Sequence, residues 1–339
     1  MLQTALQAPL GDDVMGEDPT INEFEDYISD LFGKEKGLFV PTASMANLVA
    51  LLAHCDTRAA EIIIGTESHI NLWEGGNPAN LGGIHTRQAQ EDADTAQLSE
   101  QSILDCFRDG VDDHWPHTAL LCLENSHNMC GGVALPKSYF DRIGKLAHGR
   151  MNNVPVHVDG ARIFNAAVAQ GIAVKDLCEH VDSVTICLSK GLGTPVGSVL
   201  VGETEMIRLA KRARKRVGGG MRQAGVLAAM GMYAVKNNVE RLAEDHERAQ
   251  KLGKALKDSG FYVMRDGQID TNIVYFGLPE SCSLDRDAFV STLSADYGVK
   301  VTGGYSSGGK LFRAVTHMGI DDDSMIDRAI EGMVTLGNS

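Results

Sequence analysis

The chain has 339 residues, of which 43% are hydrophobic and 22% charged, and its formal net charge is −14. This size and composition are typical of a globular enzyme with one large core or two smaller ones. The negative charge argues against a nucleic-acid or anionic-membrane partner, and no apolar run reaches the roughly 20 residues of a membrane span. The seven cysteines are scattered singly, which predicts reduced thiols in a reducing compartment.

Helices and strands alternate along the first two thirds of the chain. After Pro19, Thr20 and Glu23 form a capping-box pattern at the start of a helix. A strand at GLFV leads through Thr42 into the helix SMANLVALLAHC, and the strands EIIIG, TALLCLEN, VPVHVDG and SVTICLS follow. We interpret these strands as apolar throughout, which favours a largely parallel sheet with helices on both faces.

The last third is predicted to form a smaller unit. KRARKR at 211–216 is interpreted as the exposed end of a helix, and a single long helix is predicted near residues 237–260. TNIVYFGL, VKVTGG, KLFRAVTHMG and a closing helix from Asp321 predict a small α+β domain. We place the boundary inside the long helix. The predicted division is therefore an N-terminal arm and helix over 1–35, a large domain over 36–245 and a small domain over 246–339.

Residues that carry chemistry follow the carboxyl ends of these strands, where ligands bind in an open parallel sheet. Asp159 follows VPVHV and Lys190 follows SVTICLS, and the interval between them is that of one βαβ crossover. We therefore expect neighbouring strands, with the carboxylate and the amine at one crevice. Gly191 and Gly193 are expected to let backbone and ligand approach closely. The turn at Thr42 opens a helix whose N-terminus suits one phosphate monoester.

A reactive lysine, a buried carboxylate and a phosphate anchor together suit pyridoxal phosphate. That cofactor needs a lysine for its Schiff base and an acid that keeps its pyridine nitrogen protonated. Simpler roles exist for each residue alone: Asp159 could cap the following helix, and Arg162 could pair with it. Arg313, in an apolar strand, is expected to have an anionic partner, either a protein carboxylate or a substrate carboxylate.

Six motifs carry a family resemblance that runs from about Gly11 to the C-terminus. They are GDDVMGEDPTINEFE, ENSHN, HVDGARIFNA, CLSKGLGTPVGS, GGGMRQAGVLAAMG and LFRAVTH. Together they resemble the low-specificity L-threonine aldolases, which belong to the aspartate-aminotransferase-like superfamily of pyridoxal phosphate enzymes (fold type I). The resemblance implies an α/β fold, with a mostly parallel seven-stranded sheet flanked by helices in the large domain and a smaller C-terminal α+β domain. It also implies a homotetramer built from dimers, with Arg222 at a subunit contact.

The resemblance implies a role for each residue that would hold the cofactor. Lys190 would form the internal aldimine, and Asp159 would pair with the pyridine nitrogen. Ala43 and Ser44 would bind the phosphate. His69 would stack on the ring, and Arg162 would lie near the cofactor oxygen. No metal is implied.

The resemblance also implies how the substrate is held and cleaved. Arg313, with Arg162, would bind its carboxylate, and His127 would approach its hydroxyl. The implied reaction splits the Cα–Cβ bond of L-threonine, L-allo-threonine or another β-hydroxy amino acid into glycine and an aldehyde, through a glycine quinonoid. The base would be His69, His127 or a water that they hold, with Glu74 a weaker candidate. The implied setting is cytoplasmic amino-acid metabolism, in which threonine is consumed and glycine formed; MLQTALQAPLGDD has no signal-peptide pattern.

Two departures from the family pattern bear on turnover. Relatives usually carry an Arg-Ser-Asp-Thr stretch ahead of the segment that matches GDDV, and this sequence lacks it. We expect pyridoxal phosphate binding to survive this absence, and aldolase turnover to be the property that it affects. Met15 stands where many relatives have tyrosine, which is expected to alter substrate preference.

Other functions remain open at this point. On the same scaffold the chain could be a phenylserine aldolase, an amino-acid racemase or a β-eliminating lyase. A metal-dependent hydrolase could use His69, His127, Asp159 and Glu124, whose types suit a metal, although that function gives Lys190 no task. A protein that binds the cofactor with weak or no turnover is the third class.

Overall fold

The computed structural model describes residues 1–305, 309–320 and 322–339. Its strands are β1 (Lys36–Val40), β2 (Ala60–Gly65), β3 (His85–Ala89), β4 (His117–Glu124), β5 (Val156–Gly160), β6 (Ser183–Cys187), β7 (Ser198–Gly202), β8 (Tyr262–Val263), β9 (Ile273–Gly277), β10 (Thr302–Tyr305) and β11 (Leu311–Val315). Its helices are α1 (Leu2–Leu6), α2 (Pro19–Phe32), α3 (Ala43–His54), α4 (His69–Leu72), α5 (Asn77–Asn80), α6 (Glu100–Cys106), α7 (Lys137–Arg150), α8 (Ile163–Gln170), α9 (Val174–Leu177), α10 (Thr204–Arg216), α11 (Gly225–Asn238), α12 (Leu242–Asp258), α13 (Arg286–Tyr297) and α14 (Asp323–Gly337).

Seven strands form the large sheet, in the order β1-β7-β6-β5-β4-β2-β3. Strands β3, β2, β4, β5 and β6 pair in parallel, and β7 runs antiparallel to both β6 and β1. The predicted mostly parallel seven-stranded sheet is confirmed. The parallel strands all end at one edge, so the residues that follow β4, β5 and β6 lie close together.

Helices cover both faces of this sheet, as expected, but the central strands are not apolar throughout. On β5, Val156 and Val158 enter the main apolar core, whereas His157 and Asp159 occupy the opposite face. Strand β6 alternates in the same way, with Ser183 and further polar residues on the face that α3 covers. Residues of α3 supply polar partners for three of these side chains: Asn47 contacts Asp159 and His157, and His54 contacts Ser183.

The start of α2 differs from the predicted capping box. The N-cap is Asp18, whose Oδ1 accepts from the backbone N–H groups of Thr20 (3.1 Å) and Ile21 (3.0 Å). Pro19 takes the first helical position, which needs no N–H donor. Thr20 is therefore inside the helix rather than at its cap.

The basic run at the end of α10 is only partly exposed, contrary to the prediction. Arg214 is 2% exposed. Its Nη2 donates to Asp13 Oδ2 at 2.8 Å, and its Nη1 donates to the carbonyl of Phe39 at 2.6 Å. Because a buried guanidinium needs such partners, this contact fixes the N-terminal segment against α10 and β1.

The long helix predicted near 237–260 corresponds to α12, which begins only at Leu242, because residues 239–241 separate it from α11. The buried side-chain amide of Asn238, the last residue of α11, donates to the carbonyl of Leu192 at 2.7 Å. Leu242, at the start of α12, packs into the main core, while Leu252 and Leu256 pack into a second one. The predicted domain boundaries stay predictions.

The second core lies against a four-stranded antiparallel sheet of order β10-β11-β9-β8, flanked by α12, α13 and α14. The predicted small α+β unit is therefore present. The closing helix was predicted from Asp321, which lies outside the described residues, and α14 begins at Asp323. Among the described helices, none is both long and apolar enough to cross a membrane.

Candidate active site

Three neighbouring strand ends bring the predicted residues together. Glu124 on β4 is the register partner of Asp159 on β5, and Asp159 is the register partner of Thr185 on β6. Lys190 follows β6 by three residues. The expectation that the strands before Asp159 and Lys190 are neighbours is confirmed.

The Asp159 carboxylate is 2% exposed and accepts hydrogen bonds from neutral groups. Asn47 Nδ2 donates to its Oδ2 at 3.0 Å, and the Ala161 N–H donates to its Oδ1 at 3.0 Å. Asp159 does not cap α8, whose N-cap is Arg162, and it forms no ion pair with Arg162 within the described part of the chain. A buried carboxylate with neutral donors is a favourable place for a cationic group of a ligand.

His69 and Glu74 form a pair beside Asp159. His69 Nδ1 lies 3.0 Å from Glu74 Oε1, which also accepts from Asn47 Nδ2 at 2.8 Å. Burial raises the pKa of Glu74. Burial opposes protonation of His69, but the hydrogen bond to Glu74 and the charge of Asp159 outweigh it and raise the pKa of the imidazole. The pair can therefore hold a proton at the mouth of the site.

Ligand atoms of His69, Glu74 and Asp159 lie within 4.8 Å of one another, a spacing that a metal ion could use. The structure brings together two of the four residues of the metal-hydrolase hypothesis, since His127 and Glu124 are not in this group. A metal here would also leave Lys190 and the free end of α3 without a task.

The N-terminus of α3 leaves two backbone N–H groups without an acceptor in the described part of the chain. Thr42 is the N-cap, and its hydroxyl accepts from the Met45 N–H at 3.1 Å. The N–H groups of Ala43 and Ser44 have no acceptor in the described residues. Asn47 lies about one turn further along, so about 6 Å of helix separates this anion site from the contact with Asp159.

Lys190 is half-buried, and its amine has no hydrogen-bond or ion-pair partner among residues 1–305, 309–320 and 322–339. The sequence predicts that Gly191 and Gly193 let a ligand approach closely. In the structure, protein side chains lie beside both glycines instead. A Cβ at Gly191 would lie 2.8 Å from Leu242, and one at Gly193 would collide with the sulfur of Met318. Gly193 also has a φ of +74°. These glycines let the lysine turn pack against other parts of the protein.

Two arginines converge on one side of the site. Arg313 Nη1 donates to Asn128 Oδ1 at 2.8 Å, and its buried Nε has no partner in the part of the chain that the structure describes. Burial, and then the charge of Arg313, lower the pKa of Arg162. No protein carboxylate forms an ion pair with Arg313 among the described residues. Two adjacent guanidinium groups without a counterion suit a carboxylate ligand.

His127 lies deeper than expected for a residue that meets substrate. It is 3% exposed, and its Nε2 faces Glu91 Oε1 at 3.4 Å and Cys130 Sγ at 3.9 Å. Burial opposes its protonation, but Glu124 and the hydrogen bonds to Cys130 and Glu91 raise its pKa well above the usual range. Its predicted approach to the substrate hydroxyl stays a prediction.

Arg222 and Met15 lie on the surface of the chain. The Arg222 side chain is 62% exposed and pairs with Asp12 at 2.6 Å, and this contact lowers the pKa of Asp12. Met15 is 67% exposed. The subunit contact predicted for Arg222 stays a prediction.

The comparison with known proteins agrees with this geometry. A model of the beta-eliminating lyase family matches residues 1–278. The chain belongs to the beta-eliminating lyase family.

Two known proteins are similar to this chain over most of its length. A low specificity L-threonine aldolase of Escherichia coli O157:H7 is 48% identical over 280 residues, which are 83% of this chain and 81% of the relative. Alanine racemase TOXG of Cochliobolus carbonum is 33% identical over 316 residues, 89% of this chain and 77% of the relative. The predicted resemblance to the low-specificity L-threonine aldolases is confirmed.

Solved structures confirm the predicted fold type I. The structure of Leishmania major threonine aldolase superposes with a TM-score of 0.77 at 16% identity, covering 95% of this chain and 91% of that one. At this identity the likeness shows the fold alone.

Sequence reasoning assigned no role to three polar residues of this beta-eliminating lyase site. Asn47 joins Asp159 to Glu74, Asn128 holds Arg313, and Tyr305 lies beneath the Arg313 guanidinium. Asn47 had a visible signal, because it is a polar residue in the otherwise apolar stretch MANLVALLA. Asn128 lies in ENSHN, directly after the histidine that was singled out. Tyr305 had no comparable signal.

Proposed function

We propose that this chain is a pyridoxal-phosphate-dependent aldolase that cleaves L-threonine and L-allo-threonine to glycine and acetaldehyde. The observation that carries the proposal is the grouping of an unpaired lysine, Lys190, with the buried Asp159 carboxylate and the free N-terminus of α3. A purely structural role would not explain why the lysine, the carboxylate and the helix N-terminus are grouped together. The family membership and the 48% identity to a low specificity L-threonine aldolase support it.

The residues present fit pyridoxal phosphate. Lys190 would hold its aldehyde carbon, Asp159 its pyridine nitrogen, and the N–H groups of Ala43 and Ser44 its phosphate. The buried hydroxyl of Thr185, the register partner of Asp159, has no partner in the described residues, as expected beside a polar ligand. When bound, the cofactor supplies an electron sink for the substrate's α-carbon.

Arg313 and Arg162 would bind the substrate carboxylate. Within residues 1–305, 309–320 and 322–339, Arg313 has a free Nε and no carboxylate counterion, which leaves a charged edge for this group. Holding the carboxylate also fixes which substituent of the α-carbon faces the base. The orientation of the bound substrate, rather than a reactive side chain, therefore determines which bond of the α-carbon breaks.

The His69–Glu74 pair is the leading candidate for the base. Glu74 holds Nδ1 of His69, so Nε2 of His69 is the atom left to accept the proton of the β-hydroxyl. As that proton leaves, the Cα–Cβ bond breaks, its electron pair stays with the α-carbon, and the aldehyde departs. The α-carbon then takes up a proton, which gives glycine. His127 is the alternative base, and its burial makes it the weaker one.

The test is product analysis with L-threonine, L-allo-threonine and added pyridoxal phosphate. Acetaldehyde and glycine are expected in equal amounts, together with a visible absorption band of the lysine-bound cofactor. Lys190→Ala is expected to remove both activity and band, and the exposed Lys175→Ala serves as the matched control. Full activity in Lys190→Ala would refute the proposal.

The 33% identity to an alanine racemase supports a second candidate, a racemase or a β-eliminating lyase on the same scaffold. The panel should therefore include L-alanine, L-serine and phenylserine. D-alanine from L-alanine, or pyruvate from L-serine, at a rate above threonine cleavage would favour the second candidate. Cofactor binding without any of these products would indicate a weakly active chain.

The assembly and the location follow from the resemblance alone. We propose a homotetramer, a dimer of dimers in the cytoplasm, with Arg222 at a subunit contact. Light scattering of the purified protein tests the assembly, and Arg222→Glu is expected to weaken it.

A further inference from the structure

A chain of buried hydrogen bonds runs behind Asp159, on the face of the sheet that α3 covers. Asn47 Oδ1 lies 3.2 Å from His157 Nε2, and His157 Nδ1 lies 2.8 Å from Ser183 Oγ. His54 Nε2 lies 2.8 Å from the same Ser183 oxygen. His157, Ser183 and Asn47 each have no exposed surface.

The register of the sheet and the pitch of α3 create this chain. His157 and Ser183 are register partners on β5 and β6, so their side chains lie side by side on one face. Asn47 and His54 are seven residues apart on α3, which puts them on one stripe of the helix. Asp159 is two residues beyond His157 and shares its face.

The direction of each hydrogen bond follows from the two carboxylates. The same terminal atom of the Asn47 amide faces both Asp159 Oδ2 and Glu74 Oε1. Only a nitrogen that carries N–H groups is favourable there, because an oxygen would be repelled by the two carboxylates. Its Oδ1 therefore faces His157, whose Nε2 must carry the proton. His157 Nδ1 then accepts from the Ser183 hydroxyl, which in turn accepts from His54.

This arrangement requires His157 to stay neutral. Burial lowers the pKa of His157 to about 3 and that of His54 to about 4. A neutral imidazole has one donor and one acceptor, which matches its two partners. If the Asn47 amide turned over, its oxygen would face two carboxylates and its NH2 group would face the N–H of His157, so the carboxylates and the His157 donor together hold the amide in one orientation.

We infer that His157 is a positioning residue that, through Asn47, aims the Asp159 carboxylate at the ring nitrogen of the cofactor. This inference rests on the proposed function. His157 does not touch the ligand. It determines which oxygen of Asp159 is engaged by Asn47 and which lone pairs remain for the pyridinium.

The test compares the affinity of purified apoprotein for pyridoxal phosphate and for its 1-deaza analogue, in which C–H replaces the ring nitrogen. His157→Leu is expected to weaken pyridoxal phosphate binding about tenfold, the cost of one misdirected hydrogen bond to a charged group, with the analogue unchanged. Equal losses for the two ligands would show a merely structural role and overturn the inference.

Three further variants complete the test. His157→Gln keeps an N–H donor and is expected to restore the preference. His157→Leu is expected to add no further loss in an Asn47→Leu background, because both substitutions act on one contact. His246→Leu removes a different buried neutral histidine and is expected to affect both ligands alike. An additive loss in the double variant, or a ligand-selective loss in His246→Leu, would contradict the inference.

A readout without ligand is the ¹⁵N spectrum of the histidine rings in the apoprotein. The His157 proton is expected on Nε2, and a proton on Nδ1 would overturn the inference. If His157→Leu does not fold, Ser183→Ala takes its place, with the same ligand-selective loss expected. Wild-type protein that binds neither ligand would instead refute the proposed function, which separates the two failures.

Discussion

The guanidinium carbon of Arg313 lies 4.9 Å from the centre of the Tyr305 ring. The ring covers the face of the cation while Asn128 takes one edge. The Nε edge stays buried without a partner in the described residues. Tyr305 covers one face of this planar cation and Asn128 occupies one edge, so a carboxylate can bind only at the remaining edge. These two contacts therefore orient the substrate.

Arg313→Gln is therefore expected to raise KM for L-threonine about 30- to 100-fold, with a smaller change in kcat, because it removes binding common to ground state and transition state. Steady-state kinetics on the holoenzyme measure both constants. Arg142→Gln, an exposed arginine paired with Glu100, is the matched control. An unchanged KM in Arg313→Gln would contradict this role.

The ring beneath Arg313 is expected to act through its face rather than its hydroxyl. Tyr305→Phe should leave KM nearly unchanged, while Tyr305→Leu should raise it about two- to fivefold. The same kinetic assay measures both variants. Equal effects of the two substitutions would argue against the cation–ring contact.

Glu74→Gln is expected to move the acidic limb of the kcat/KM profile to lower pH. The carboxylate of Glu74 helps hold the pKa of His69 above its ordinary value, so its removal lets the imidazole lose its proton at lower pH. Gln keeps the size of the side chain and one oxygen for Asn47. If the acidic limb does not move, it reports the titration of a group other than His69, and His127 is the first to examine.

The apoprotein is expected to lose stability as the pH falls from 6.5 toward 3, in part because His157 stays neutral when folded and gains a proton when unfolded. With a folded pKa of about 3, this residue alone costs about 2 kcal/mol at pH 5. Urea unfolding at pH 7.5 and pH 5 should show a smaller difference for His157→Gln than for wild type, by about that amount. The exposed His114→Gln should keep the wild-type difference.

Gly193→Ala is expected to destabilise the protein by about 1–3 kcal/mol, from its positive φ and from the collision with Met318. Adding Met318→Ala should recover the part due to the collision. Gly149→Ala, an exposed helical position with nothing within 4 Å of the added carbon, should instead be neutral or slightly stabilising. Equal effects at the two glycines would contradict the packing argument.

Sequence reasoning located Asp159 and Lys190 well because the length of the crossover between two strands can be read directly from the chain. It failed for the polar faces of β5 and β6, although VHVD and SVTIC alternate visibly. Full burial of an apolar-looking strand was predicted, and the polar partners on α3 were not.

Contacts between distant parts of the chain explain the other errors. Arg214 stands in a basic run that favours a solvated helix, and its burial depends on distant partners, among them Asp13, which is 201 positions away. Gly193 suggests room for a ligand until Met318 is placed beside it. The sequence indicates which residues need space or a counter-charge. Only the fold determines which parts of the protein supply them.

The interval between Ser44 and Asn47 on α3 cannot change in length. One inserted residue would rotate the Asn47 side chain by about 100° relative to Ser44, so an intact anion site would no longer face an aligned amide. The loop that follows α3 faces no such constraint. Among natural variants or libraries of this protein, insertions should therefore accumulate in that loop and be absent from residues 43–47.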